Sequence, residues 1–566
     1  MGFSPFRKEA DEARDEHSPI PPDYEHAAAS GSTGGAAPEE LEGLSLFEKK
    51  CVLINNEIDR NGFGRYQWYI WGLCGLGYFI DLIWAQAFGL ILSPLQQELG
   101  FPGDQSGNIS VAFSSGLTAG AFVWGFLVDI IGRQWAFNLT CFISAAFGLG
   151  LGGCSTYTAF LVVTAFNGFG IGGNIPIDTT ICLEFIPQNK RFMLALLSIF
   201  QPIGVTICCA IAYGFIPRYS CDPDFTVTNP DGSFALQSCN ITPPGEPCCS
   251  RSDNMGWRYL MFTLGAITLF IFFLRFVIFN FKESPKFLVY RGQDQKAIEV
   301  LQHVAKVNKR ECGITLQDFE ALTAEDDSTK SATHLIGSGN KQRDLPFMAK
   351  VKIEFVRYGM LFKGWQITRL TLLVWLIYIC DFWGFTLAGT YLPAIFAAKN
   401  GALGLSIEST YKNYLSIYTP GIVAVVLGSM MYRVPVLGRQ MTMLISAALM
   451  AVSIFVFSAV NTQPANIGLN MMEYFFQSMF NAVLYGWTPE VFPAPVRGTG
   501  SGLASFWGRL FGIIAPLTAQ TLLPAGGIAS DPRGAQRVLY LAGGVTLGAV
   551  LGIALLPRRM VGRQSF

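Results

Sequence analysis

Four acidic residues lie in stretches of the chain that are otherwise largely apolar. Asp81 and Asp381 occupy the middle of two such stretches, while Asp178 and Glu473 lie in two others. A charged group at bilayer depth costs about 2.5–3.5 kcal/mol even on lenient insertion scales, so it must face water, a partner or an internal cavity. A buried carboxylic acid can also load and release a proton. We therefore predict Asp81 as the proton-binding group of an internal site, with Asp178 and Asp381 in reserve.

Helical spacing adds further polar residues to this site. Asn174 and Asn167 precede Asp178 by spacings of four and eleven residues, which places the three on one helix face. Glu473 begins a second series, in which polar residues recur every four positions as far as Tyr485. The residues predicted to line the internal cavity are Asn167, Asn174, Tyr378, Glu473, Gln477 and Asn481.

The elements that position these residues are membrane-spanning helices. The 566 residues are 51% hydrophobic and 14% charged, with a mean hydropathy of +0.37, which is too apolar for an ordinary soluble protein. Lys+Arg and Asp+Glu balance at 40 each, so no nucleic acid partner is expected. About a dozen apolar runs are long enough to cross ~30 Å of hydrocarbon. We predict an all-α membrane protein with spans at 68–93, 108–128, 135–154, 158–181, 192–216, 257–280, 369–393, 412–432, 441–460, 467–488, 501–523 and 537–556.

A repeated motif indicates that the chain consists of two related halves. Glu184-x-x-Pro-x-x-x-Arg191 recurs as Glu490-x-x-Pro-x-x-x-Arg497, with one offset for all three matching residues. Internal repeats of membrane helices are a common plan of secondary transporters. The predicted division is a disordered cytoplasmic tail (1–66), a first half (67–280) with an external loop (217–256), a cytoplasmic central loop with short helices (281–368), a second half (369–556) and a cytoplasmic tail (557–566).

The distribution of positive charge predicts the orientation. Twelve spans place both termini on one side, and the links that carry Arg133 and Arg439 share that side, so both termini are predicted to be cytoplasmic. The external loop then holds a possible N-glycosylation site, Asn240-Ile241-Thr242, and four cysteines that allow three disulfide pairings. The candidate disulfide residues are Cys221, Cys239, Cys248 and Cys249.

The link between spans 2 and 3 resembles a known signature. Gly125-x-x-x-Asp129-x-x-Gly132-Arg133 is similar to the corresponding loop of the major facilitator superfamily, although Pro435 stands where the second half would repeat the Asp. The resemblance implies two pseudo-symmetric six-helix halves and a cavity lined by spans 1, 4, 7 and 10. It also implies a charge network that acts as a cytoplasmic gate, formed here by Gly125, Asp129, Gly132, Arg133, Glu184, Arg191, Glu283, Arg439, Glu490 and Arg497.

Within that superfamily, the chain resembles the sugar-porter and organic-ion side. The run from Tyr485 to Pro493 is similar to the branch related to synaptic vesicle protein 2. This resemblance implies transport of a small ion or a sugar-like metabolite, often together with protons. Many relatives carry an Arg in span 4 as the partner of the span 1 acid, but Thr164 occupies that position here. We therefore expect Asp81 to lack a fixed cation.

These observations predict a secondary active transporter of a small polar metabolite or organic ion that works by alternating access with proton coupling. An uncoupled facilitator of a sugar-like solute and a nutrient receptor that no longer transports remain alternatives. No Walker motif, nucleophile elbow or metal-ligand spacing is present, so we predict no enzyme activity, no cofactor and no metal site. The expected partners are the substrate, H+ and the lipid bilayer. The expected form is a monomer in the plasma membrane, with a vacuolar or vesicular membrane as alternatives.

Overall fold

A computed structural model describes residues 46–557, apart from 132, 191, 222–235, 279–281, 324–358, 360, 363, 433, 435–437, 493–496 and 523–531. The elements it describes are helices, and one isolated β-bridge joins Ser238 to Cys249. The helices before the central loop are α1 (Leu46–Asn61), α2 (Arg65–Leu99), α3 (Asn108–Ile131), α4 (Arg133–Leu151), α5 (Tyr157–Ile171), α6 (Asn174–Phe185), α7 (Phe192–Leu197), α8 (Phe200–Phe215) and α9 (Gly256–Phe273).

The central loop contains α10 (Pro285–Tyr290) and α11 (Asp294–Val307). The later helices are α12 (Trp365–Ala402), α13 (Ile407–Tyr418), α14 (Gly421–Met431), α15 (Gly438–Ala459), α16 (Gln463–Val491), α17 (Arg497–Gln520) and α18 (Pro532–Ala554). Within the described part of the chain, nine helical segments are long and apolar enough to cross a membrane. The order of the helices is consistent with the twelve predicted spans, because α5–α6, α7–α8 and α13–α14 are each divided only by a short break.

The break between α5 and α6 has a packing cause. Gly172 and Gly173 occupy it, and a Cβ added to Gly172 would lie 2.3 Å from the carbonyl oxygen of Leu117 in α3. A larger residue would therefore push the two helices apart. Small residues allow this close approach of helix backbones in membrane proteins.

The first helix corrects one prediction. We predicted a disordered tail through residue 66, but Leu46–Asn61 forms α1. Its residues Leu53, Ile54 and Ile58 are buried, and Lys50 Nζ lies 2.6 Å from Asp294 Oδ2 of α11. Composition alone suggested disorder because the segment has many charges, yet its apolar residues share one helix face. The preceding residues, 1–45, lie outside the described part.

The two halves contact each other at two levels of the molecule. At one level, a Cβ on Gly89 of α2 would lie 2.4 Å from the carbonyl oxygen of Gly389 in α12. At the other level, a Cβ on Gly486 of α16 would lie 2.8 Å from the Cβ of Ala195 in α7. We call the side of the molecule that carries the disulfide-bonded loop the disulfide face, and the side that carries α1 and α11 the opposite face.

Candidate functional site

A cavity of about 130 Å³ lies between the halves. Its lining comes from α2, α3, α6 and α8 of the first half and from α12, α13, α16 and α17 of the second. The cavity therefore lies at the interface between the halves. Its lining includes helices other than spans 1, 4, 7 and 10, which the resemblance implied. Its charged and amide-bearing lining residues are Asp81, Gln86, Gln201, Asp381, Asn470, Glu473, Gln477, Asn481 and Arg509.

The two central acids occupy equivalent positions in α2 and α12. Asp81 and Asp381 lie at the same distance from the first residue of their helices (81 minus 65, and 381 minus 365), and both are buried. Asn174 Nδ2 donates to Asp81 Oδ1 at 3.2 Å. The Asn481 amide, oriented with its nitrogen toward Asp381, donates to the two carboxylate oxygens at 2.9 and 3.2 Å. Each acid therefore has an amide partner from its own half.

The polar stripe on α16 faces the cavity. Glu473, Gln477, Asn481 and Tyr485 all contribute to the lining, as their four-residue spacing predicted. Glu473 is 5% exposed, and its Oε1 atom has no hydrogen-bond partner among the described residues. A buried carboxylate oxygen without a donor is costly in an empty site, so this atom is available to a bound molecule.

Arg509 of α17 is a cavity residue that the sequence reading missed. It is 3% exposed, and its Nη1 donates to the backbone oxygens of Leu117 and Gly172 at 3.2 and 2.5 Å. It also interacts electrostatically with Asp81. Arg275 of the first half acts on Asp81 in the same way, and neither arginine forms an ion pair with Asp81 within the described structure. The expectation that Asp81 lacks a fixed cation, drawn from Thr164, therefore stays a prediction, although a cation from the other half influences this acid. A lone Arg within a span was the available signal.

Asp178 lies in a different environment from the cavity acids. Its Oδ2 atom is 3.5 Å from Arg275 Nη2, and both side chains are fully buried. Arg275 also stacks on the Phe137 ring at 3.8 Å and donates to the backbone oxygen of Leu73 at 3.2 Å. A Cβ on Gly77 would overlap the Asp178 carboxylate. Neither Asp178 oxygen accepts a hydrogen bond within the described structure, and Asp178 is absent from the cavity lining, so the buried ion pair with Arg275 favours a structural role.

Three predicted lining residues also lie outside the cavity lining: Asn167, Tyr378 and Asn174, the last of which contacts the lining residue Asp81. Asn167 Nδ2 donates to the backbone oxygen of Ser144 at 3.1 Å, and the Tyr378 hydroxyl donates to Thr488 Oγ1 at 3.0 Å. The prediction for Asn167 assumed a continuous helix through Asn174. Because the glycine break separates α5 from α6, the three residues of that predicted face do not share one environment.

Part of the predicted charge network is present at the opposite face. Arg439 Nη2 lies 2.8 Å from Glu490 Oε2, and the Tyr432 hydroxyl donates to the same oxygen at 2.5 Å. In the first half, Glu283 Oε2 accepts from the backbone N–H of Gln134 at 3.4 Å, at the start of α4. These contacts join the links on each half where the resemblance placed a gate.

The rest of that network is only partly described. Glu184 is half-buried near the end of α6, and Gly125 belongs to α3. Gly132 and Arg191 lie outside the described residues, as do the side chains of Asp129, Arg133 and Arg497. The predicted contacts of Arg191 and Arg497, the arginines of the repeated motif, therefore stay a prediction.

The loop on the disulfide face is joined to the end of α2. Of the three pairings that sequence allowed, the structure has Cys221–Cys249 and Cys239–Cys248, with Cα–Cα distances of 5.5 and 4.9 Å. Asn240 is exposed, and its Nδ2 donates to the backbone oxygen of Leu99 at 3.4 Å. The two disulfides and the contact with α2 therefore hold the loop against this face.

The end of α2 is itself fixed by a buried ion pair. Glu98 Oε1 lies 2.5 Å from Arg258 Nη2, and Trp257 Nε1 donates to Glu98 Oε2 at 2.7 Å. Arg258 Nη1 also donates to the backbone oxygens of Gly152 and Cys154 at 2.8 and 2.7 Å. These contacts tie α2 and α9 to the link between α4 and α5, and they hold the disulfide face of the first half together.

Comparisons with known proteins place the chain among transporters. The Major Facilitator Superfamily model matches residues 74–516. The chain is 34% identical over 563 residues to "MFS siderochrome iron transporter 1" of Ceriporiopsis subvermispora (strain B), covering 99% of this chain and 97% of that protein. It is 22% identical over 586 residues to "Synaptic vesicle 2-related protein" of Bos taurus, covering 99% and 91%.

The fold is also similar to that of a solved transporter. The proton:xylose symporter XylE, bound to 6-bromo-6-deoxy-D-glucose, matches with a TM-score of 0.61 over 88% of this chain and 98% of that chain. Its sequence identity is 14%, so this match concerns the fold alone. Together, the relatives and the fold are those of multi-pass membrane transporters, which are not enzymes.

Proposed function

Because the chain belongs to the major facilitator superfamily, we propose that it moves a small polar metabolite or organic ion by alternating access, coupled to protons through Asp81. The observation that carries this proposal is the cavity between the halves, with one acid from each half at equivalent positions. A substrate site at the interface of two repeats is the arrangement that alternating access requires.

The contacts between the halves supply the elements that must open. On one side of the cavity, α2 packs against α12 through Gly89 and Gly389, and Ser110 Oγ lies 2.6 Å from Thr390 Oγ1. On the other side, α16 packs against α7. Rocking of one half against the other would separate either the α2–α12 contacts or the α16–α7 contacts while the other set stays formed. The Arg439–Glu490 ion pair lies within the second half, so it would order the links of that half where a latch against the first half forms.

Proton coupling follows from the origin of the Asp81 partners. Asn174 belongs to the same half, whereas Arg509 belongs to the other half and also donates to two carbonyls of the first. A nearby opposite charge favours an ionised carboxylate. A conformation that moves Arg509 away from Asp81 therefore differs from this one in its affinity for a proton. That difference is the requirement for coupling.

The names of the relatives do not decide the substrate. One carries siderochrome iron, and another with the same fold carries xylose with protons. We propose a small polar solute because the cavity holds about 130 Å³ and has many amide and carboxylate groups. We further propose cytoplasmic termini, on the basis of the charge distribution in the links. A monomer in the plasma membrane is the form that we propose for testing.

The test is uptake by the purified full-length protein in proteoliposomes. Vesicles with an imposed pH gradient, offered a mixture of labelled polar metabolites, should accumulate a substrate, and a proton ionophore should abolish accumulation. Asp81→Asn should also abolish accumulation. Glu320→Gln, which changes an exposed acid of the central loop, should leave accumulation unchanged. Uptake that ignores the gradient would identify a facilitator, and binding without flux would identify a receptor.

A further inference from the structure

We propose that the cavity selects a compact organic cation, held between Asp381 and Glu473 of the second half. The inference rests on the proposed function, because it takes the cavity as the transport site. It adds the charge of the substrate and assigns its recognition to one half.

The charges of the cavity lining are unbalanced. Three carboxylates line it, from Asp81, Asp381 and Glu473, whereas Arg509 is the one basic lining residue in the described part of the chain. The electrostatic partner of Arg509 among these acids is Asp81. Neither Asp381 nor Glu473 forms an ion pair with a basic residue in the described part of the chain. Buried charges are normally paired, so a cation that enters the cavity would find two acids without a counter-charge.

The second step is the position of the Glu473 oxygen. Glu473 is 5% exposed and lines the cavity, and its Oε1 atom accepts no hydrogen bond within the described structure. Most buried polar atoms have a partner, so an orphaned carboxylate oxygen that faces a cavity indicates a missing donor or cation. Asp381, in contrast, is already held by the Asn481 amide, which fixes its orientation.

The third step is the set of rings around these acids. Tyr418 and Tyr474 line the cavity with their ring centroids 4.7 Å apart and their planes at 87°. Phe382, Phe385 and Tyr485 add aromatic surface from α12 and α16. Aromatic faces attract cations by about 0.5–2 kcal/mol each, with the larger values in desolvated sites. A neutral solute gains no cation–π or charge–charge attraction from these groups, and an anionic solute is repelled by the two acids.

The experiment compares three probes of nearly equal shape and different charge. Choline is the cation, 3,3-dimethylbutan-1-ol is its neutral carbon isostere, and 3,3-dimethylbutanoate is the anion. Thermal shifts of the purified full-length protein, titrated with each probe, give their relative affinities. The proposal expects choline to bind at least about tenfold more tightly than either isostere, which corresponds to about 1.4 kcal/mol. Equal affinities, a preference for the anion, or no binding of choline would overturn it.

Two variants and a control assign the effect to the site. Glu473→Gln and Asp381→Asn keep the side-chain shape and should each weaken choline binding about tenfold or more, with little change in the affinity of the neutral isostere. Glu320→Gln is the matched control because it removes an exposed acid of the central loop. Unchanged choline affinity in both cavity variants would contradict the assignment even if the wild-type protein prefers the cation.

Flux separates this inference from the proposed function. Proteoliposomes loaded with labelled choline report whether the bound cation is also carried. Selective binding without flux supports the cation site and contradicts transport. Flux of other solutes without selective binding of choline supports transport and contradicts the cation site.

Discussion

Asp81 and Asp381 lie at the same point of two related helices, but their surroundings differ. Asp81 accepts from an amide of its own half, and it interacts electrostatically with Arg509 of the other half and, more weakly, with Arg275 of its own half. Asp381 has the amide of Asn481, from its own half, and no compensating charge among the described residues. Both α2 and α12 contain a proline in their last third, Pro94 and Pro393, so the helix frame itself has changed little.

This difference indicates a division of labour between the halves. A partner from the opposite half changes its distance when the halves rock, so Asp81 is suited to sense conformation. A partner from the same half moves with its acid, so Asp381 keeps its orientation in every state. Duplication thus supplies one frame, and the side chains around the two acids separate coupling from recognition.

Replacing Asp81 should have the largest effect on transport. Asp81→Asn keeps the shape of the side chain and its contact with Asn174 but cannot exchange a proton. We expect pH-driven accumulation to fall by about a hundredfold or more, the scale on which loss of a proton-transfer group is felt. Exchange of substrate across the membrane at equal pH should persist. The measurement is uptake and counterflow in proteoliposomes, with Asp381→Asn as the comparison.

Asp381→Asn should produce the opposite pattern. Substrate affinity should fall, while the residual uptake should keep its dependence on the pH gradient. If the two variants lose the same property, the division between coupling and recognition is wrong.

The second prediction concerns the partner of Asp81. Arg509→Gln removes a buried cation that interacts electrostatically with Asp81, together with the donors to the Leu117 and Gly172 oxygens. Loss of one charge from a fully paired buried ion pair costs about 3–5 kcal/mol, which is the upper bound here because Arg275 still acts on Asp81. We expect a clear loss of thermal stability, partly restored by adding Asp81→Asn, because the double variant removes both charges. A double-mutant cycle on unfolding in detergent measures this coupling. The same cycle with Asp381→Asn in place of Asp81→Asn should be close to additive.

The sequence predicted the frame of the molecule well. The apolar runs, the duplicated motif and the acids at equivalent helix positions depend on local composition and spacing, which a single sequence displays directly. The four-residue polar stripe from Glu473 to Tyr485 also predicted a shared face, because α16 is continuous across it. Such predictions hold where one regular helix carries all the residues concerned.

Pairings between distant helices could not be predicted in this way. Arg509 reaches Gly172 across 337 positions of the chain, and Arg275 reaches Asp178 from another span. Nothing in the local pattern says which buried cation meets which acid. The face predicted for Asn167, Asn174 and Asp178 failed for a related reason, since the glycine break between α5 and α6 depends on the packing of α3.

The third prediction concerns the Arg439–Glu490 ion pair at the opposite face. Glu490 accepts from both Arg439 and Tyr432, so Glu490→Gln removes a charge-assisted contact in the second half. An exposed ion pair contributes about 1 kcal/mol, or roughly fivefold in a conformational equilibrium. The Arg439 and Glu490 side chains are only 16% and 5% exposed, so we expect a shift of at least that size. We expect slower transport with an unchanged pH dependence. Accessibility of introduced cysteines at this face would report the shift toward opening there.

Glu184→Gln is the matched variant in the first half. If it slows transport as Glu490→Gln does, the two copies of the motif still act alike, in contrast to the two cavity acids. Normal turnover in both variants would argue against a latch at this face.

The smallest effect on transport is expected at the disulfide face, where the halves differ most. The first half carries a loop with two disulfides, and Asn240 is exposed within it, in an N-glycosylation acceptor pattern. Asn240→Gln removes only a weak contact with Leu99, so uptake should be unchanged.

Glycosidase treatment of the protein from a eukaryotic host should increase the gel mobility of the wild type but not of this variant. Because a glycan can be added only on the lumenal or external side, a shift that depends on Asn240 would also fix the orientation. A glycosidase shift that persists in the variant would show that the glycan is attached to another residue. Labelling of this loop from the cytoplasm would show that the orientation derived from the positive charges is wrong.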